Sequence, residues 1–223
     1  MFSIRRAYYD LLARLDTARA TVDAERWRIA SVERVFGTNI AALRNQFSDR
    51  NIELNRLLTR SDHRIADLED VGVHALFYSR AIERHDLDAC MGIVRQGRRE
   101  SAPNRFVRET SEGVDLTVFP SVEVWFGGYQ INLLTNDVDA LHQIDAAEFS
   151  PPPPWVAFPN FEPPSVLLQG EQQFWFENVW DAFFQPLTRE ERAAYLAAHD
   201  APAEWVEDLN YRAMGPTDDP EPG

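Results

Sequence analysis

The sequence predicts an α+β fold: a helical N-terminal half, an antiparallel sheet built around a central Gly-Gly hairpin, and C-terminal helices. Three observations carry that prediction. Apolar residues recur at helical spacing in the first 110 residues, strict alternation replaces it from Val114, and helix-start signals return at Thr188. At 223 residues, 44% hydrophobic and 26% charged, the chain can bury a sizeable core.

The elements follow in order. Residues 3–20 read as an amphipathic helix with Ile4, Tyr8, Leu11, Leu12 and Leu15 on one side. Asp10, Arg14 and Asp16 interrupt the apolar stretch that a signal peptide needs. Residues 22–36 fit a helix through Val22, Ile29, Val32 and Phe36, although the Arg-Trp-Arg-Ile stretch also suits an extended piece, and Gly37 breaks it. Residues 38–70 read as helix and loop. In 73–95 two helical faces are expected, one of Val73, Phe77 and Ala81 and one of Leu87, Cys90, Met91 and Val94, with Asp86 capping the second. The Arg-rich stretch 97–113, holding Gly97, Pro103 and Gly113, reads as a linker.

Residues 114–119 and 121–126 then alternate, and Tyr129, Ile131 and Leu133 continue the pattern after Gly127-Gly128. A two-residue Gly-Gly turn pairs Phe126 with Tyr129, Val124 with Ile131 and Val122 with Leu133. It leaves Glu123, Trp125, Gln130 and Asn132 on the other face. Residues 137–149 read as a short helix stopped by Pro151–Pro154, with extended pieces at 155–158, 166–169 and 172–176, and a turn or two of helix at 178–184. Thr188-Arg-Glu-Glu191 is a capping box, and Pro202 opens a last helix with Trp205 and Leu209 inward. The reading gives one α+β domain over residues 1–213. Its helical portion spans residues 1–110, its sheet and C-terminal helices fill 111–213, and a disordered tail follows at 214–223.

Charge is segregated. All 22 basic side chains are arginine; there is no lysine, which removes phosphate-gripping and Schiff-base lysine chemistry. Residues 1–110 hold 19 Arg against 16 Asp and Glu, whereas 111–223 hold 3 against 20, with no arginine between Ser111 and Thr188. Such a field repels phosphate backbones and anionic lipid, so neither nucleic acid nor membrane is expected as a partner. No apolar run is long enough to cross a bilayer, and the lone Cys90 excludes an internal disulfide, which places the chain in a reducing cytoplasm.

No catalytic motif emerges. His63, His74, His85, His142 and His199 are scattered, without the spacing that sets two ligands on one helical face. Glycine-rich phosphate loops and a nucleophile elbow are absent from the sequence. The reading is therefore a non-enzyme with no catalytic, cofactor or metal residues. Seventeen of the 26 aromatic residues lie in 111–223, and Trp155, Phe158, Phe161 and Trp175 are interleaved there with acids. Rigid rings in an acidic rim suit the capture of a basic protein. The partner-binding residues assigned on this basis are Glu123, Trp125, Trp155, Phe161, Glu162, Glu171, Trp175 and Asp181.

The stretches VEVWFGGYQINLL (122–134) and FWFENVWDAFFQPLTREERAAYL (174–196), with the acidic α+β profile, resemble bacterial immunity proteins of toxin–immunity pairs. The resemblance implies a cytosolic inhibitor that binds a cognate basic, nuclease-type toxin. The alternative is an acidic adaptor or chaperone for a secreted effector. A third option is a small hydrolase with an acid pair.

Overall fold

A computed structural model describes residues 22–48, 63–161, 163 and 169–214. The expected helix at 3–20, Glu162, residues 166–168 of the extended piece expected at 166–169, and residues 215–223 of the expected tail lie outside the described residues; Met214, expected in that tail, ends the last helix. The protein is α+β, with a six-stranded antiparallel sheet and helices at both ends. Two helices come first, α1 (Val22–Phe36) and α2 (Ile40–Gln46). The strands are β1 (His63–Asp67), β2 (Leu76–Ile82), β3 (Arg99–Ala102), β4 (Arg105–Glu109), β5 (Asp115–Trp125) and β6 (Gly128–Thr135), in the order β1-β2-β6-β5-β4-β3. Between β2 and β3 runs α3 (Leu87–Arg95). After the sheet come α4 (Val138–Ala146), α5 (Pro154–Ala157), α6 (Glu171–Trp175), a π-helical turn (Phe176–Trp180), α7 (Asp181–Phe184), α8 (Arg189–Ala198) and α9 (Ala203–Met214). Among the described residues no helix is long and apolar enough to cross a membrane.

Several elements differ from the sequence reading. Residues 76–82 form a buried strand, not a helix. The spacing of four between Phe77 and Ala81 is even, so it keeps both on one face of a strand as well as of a helix. The stretch read as a linker is the β3–β4 hairpin. The pieces at 155–158 and 172–176, read as extended, are helical apart from Phe158, which ends α5.

The central hairpin turns one residue earlier than expected. Trp125 pairs with Gly128, Val124 with Tyr129 and Val122 with Ile131, so Phe126 and Gly127 are the turn residues, both with positive φ (38° and 79°). Gly128 belongs to the strand instead: a Cβ there would collide with the Ile82 carbonyl and the Pro152 ring. The face assignment survives because the pairing moves by an even number of residues. β5 is one strand running through Pro120. Hydrogen-bonded pairs alternate from Trp125–Gly128, so Pro120 falls at a pair that exchanges no such bonds and its nitrogen turns away from β6. Pairing with β4 ends at Val118, so a missing N–H there costs the sheet nothing.

Both faces of the sheet are covered. Tyr78, Ile131, Leu133 and Val118 pack under α3 and α4 with Cys90, Val94, Leu141 and Ile144. On the other face, Phe77, Phe119 and Leu134 meet Val32, Phe36 and Leu43 of α1 and α2. Further along that face, Ala81 and Trp125 lie under the C-terminal helices. Between those two cores a buried polar pair of bonds crosses three side chains: Gln130 Nε2 donates to Ser79 Oγ (2.7 Å), which donates to Asn132 Oδ1 (2.8 Å).

Candidate functional site

Of the four rings assigned to a partner surface, Trp125 and Trp175 are in the core, and Trp155 and Phe161 pack against it. Trp125 and Trp175 are 2% and 0% exposed, and Phe158, Phe176, Trp180 and Phe184 are buried with them. Trp175 and Trp180 stack at 6.2 Å, and Trp175 meets Phe158 edge-on at 5.1 Å. The reason is the face opposite the expected apolar one: Trp125 and Ala81 are apolar there, so the sheet is dressed on both sides and needs aromatic volume on the second. Trp155 and Phe161 are half-buried, and Trp155 Nε1 donates to the His199 carbonyl at 3.2 Å. Glu123 is half-buried beside Gln130. Asp181 is half-buried, and burial raises its carboxyl above the ordinary range. Glu171 is exposed at the start of α6. The proline quartet is buried too, with Pro154 opening α5.

What remains outside is acidic and helical. Glu171, Glu177, Glu190, Asp200, Glu204 and Glu207 are exposed on or beside α6, the π-helical turn, α8 and α9. Two of the three arginines of this region are occupied: Arg212 pairs with Asp208 at 2.6 Å, and Arg192 donates to the Gln185 carbonyl and lies over Phe184, while Arg189 is exposed in the first turn of α8. Glu191 completes the capping box, accepting from the Thr188 N–H at 2.7 Å while Thr188 Oγ1 accepts from the Glu191 N–H at 3.2 Å. Tyr211 is 80% exposed. Spacings of three and four put Glu204, Glu207 and Tyr211 on one side of α9, away from Trp205 and Leu209.

A second gathering of polar groups lies where β2 ends. Glu83 Oε1 accepts from Ser150 Oγ at 2.8 Å and lies 2.8 Å from His199 Nε2. His199 Nδ1 faces the Tyr195 carbonyl at 2.8 Å, and its ring stacks on Tyr195 at 3.9 Å. Tyr195 donates to the Pro151 carbonyl, and burial raises its phenol far above the ordinary value. His85 and Asp86 follow Glu83 on the same short 3₁₀ turn (Arg84–Asp86). Asp86 occupies the position before α3 but makes no capping bond with its side chain. Its carboxyl is raised by burial, against the pull of His85. Sequence reading missed this cluster, whose local signal is the run Glu83-Arg84-His85-Asp86.

A third feature is a cleft of 540 Å³ beside the stretch of β5 that β4 does not pair, lined by Phe119, Pro120 and Val122, by Met91 of α3, and by Arg34 and Arg95. Among the described residues no carboxylate lines it. No family model, curated protein or solved structure matches the chain.

Proposed function

We propose that this chain is a cytoplasmic immunity protein, which binds and inhibits a basic, nuclease-type bacterial toxin. The acidic outer side of the C-terminal helices makes the contact. One observation carries the reading: α9 presents Tyr211 beside Glu204 and Glu207, an exposed ring among carboxylates that no arginine among the described residues neutralises. Carboxylates speed the encounter with a cationic surface, and an aromatic ring supplies the anchor. The anchor thus differs from the buried tryptophans that the sequence suggested. Arginines of the first half serve as scaffold cations, since Arg98 and Arg108 hold Asp137.

The test begins with the purified protein as bait in its native host at low salt. The captured partner is identified and its activity measured with and without the bait. Inhibition that weakens with salt and drops at least about tenfold in Tyr211→Ala supports the reading. A partner whose soluble yield rises while its activity stays intact identifies an effector chaperone instead.

A further inference from the structure

The geometry points to a divalent transition-metal site formed by Glu83, His85 and Asp86, with zinc as the ion that best fits one imidazole and two carboxylates. It stands independently of the inhibitor reading.

One ligand atom from each of these three residues can be chosen so that all lie within 4.8 Å of one another. Glu83 Oε2 is 3.8 Å from His85 Nδ1, and His85 Nε2 is 3.4 Å from Asp86 Oδ1. Ligand atoms around one tetrahedral zinc ion lie about 3.3 Å apart, given bond lengths near 2.0–2.2 Å. These two contacts use opposite ring nitrogens, and one nitrogen serves the ion, so ligand atoms up to 4.8 Å apart need to close by up to about 1.5 Å. His85 is 72% exposed at its side chain and supplies that movement by rotation, offering one of its two nitrogens.

The surroundings resemble a ligand shell already held in place. Ser150 and His199 both hold Glu83 by the same oxygen, Oε1, which leaves Oε2 on the side of His85. Outer partners of that kind fix a carboxylate's orientation before the ion arrives. Asp86 is half-buried and is not used as a helix cap, so its carboxylate is available on the same turn. Two arginines lie close by and both have other work. Arg84 donates to the Gly127 carbonyl at 2.9 Å, and the buried Arg80 donates to the Phe149 carbonyl. With three protein ligands, the fourth position of the ion falls on the exposed side with His85 and takes water or an incoming group.

The experiment is calorimetric titration of the full chain with zinc chloride at pH 7.5, after treatment with chelator. One equivalent is expected to bind, with magnesium at least about a hundredfold weaker because imidazole favours the transition metals. His85→Gln and Asp86→Asn each lower zinc affinity at least about tenfold, while His142→Gln, at an exposed position of α4, leaves it unchanged. Ser150→Ala lowers affinity about tenfold through Glu83 without removing a ligand. Melting of the zinc-free His85→Gln variant matches that of the zinc-free parent, which separates loss of a ligand from loss of fold. Absence of binding at millimolar zinc overturns the proposal. So does stoichiometric binding that persists unchanged in both His85→Gln and Asp86→Asn.

Discussion

Arg98 Nη2 lies 2.6 Å from Asp137 Oδ2, and neither side chain reaches solvent: they are 2% and 0% exposed. Arg108 takes the other oxygen at 2.7 Å and reaches Asp139 at 2.5 Å. Burial alone would raise the Asp137 carboxyl; the hydrogen bonds and charges of Arg108 and Arg98 outweigh it and hold the group below the ordinary carboxylate range. Asp137→Asn strands the buried Arg98, and a loss of about 3–5 kcal/mol is expected in urea unfolding. Because the folded carboxyl titrates lower than the unfolded one, its contribution is complete above about pH 5 and is lost as pH falls toward the folded value. Acid titration of the variant should be correspondingly flatter.

Asp181 runs the other way. Burial raises its folded carboxyl, so ionisation costs stability as pH rises through the carboxylate range. Asp181→Asn is expected to melt higher than the parent at pH 7 and to match it near pH 3. Glu171→Gln, at an exposed position, leaves the melt unchanged. Differential calorimetry at the two pH values checks both.

Cys90 is fully buried on α3, and burial pushes its thiol up to about 12. The native protein should leave a thiol reagent untouched at pH 8 and should react with one equivalent in denaturant. Rapid native labelling would show that α3 opens away from the sheet.

The indole N–H groups of Trp175 and Trp180 are buried and have no hydrogen-bond partner among the described residues. Trp180→Phe removes an unpaired donor with part of a ring, and the two changes offset each other, leaving a cost within about 1.5 kcal/mol. Trp180→Ala empties the stack with Trp175 and Phe184 and should cost about 3–5 kcal/mol. Chemical denaturation of the pair separates polar from volume effects.

The sequence carried its clearest messages where one period dominates. The alternation of β5 and β6, the Thr188 capping box and the helix from Val138 all stand where the pattern put them. Phe77 and Ala81 misled because four is a multiple of two. Gly127-Gly128 misled because both glycines are required, one by a positive φ and the other by the closeness of Ile82 and Pro152. Composition registered the aromatic wealth of 111–223 but not its direction. Trp125 lies on a face that reads as polar from Glu123, Gln130 and Asn132, and its burial follows from helices that arrive about thirty or more residues later. At the cluster of Glu83 the run Glu83-Arg84-His85-Asp86 is local, but the residue that orients Glu83 is not: His199 meets it from 116 residues away.

β6 lies between β2 and β5 although it is made after both. Until residues 128–135 have been delivered by the ribosome, β2 and β5 lack the strand that joins them, and the ribbons β1–β2 and β3–β4–β5 have no common neighbour. A nascent chain paused there offers chaperones and proteases their best opportunity, and emergence of Thr135 closes it by zipping the ribbons into one sheet.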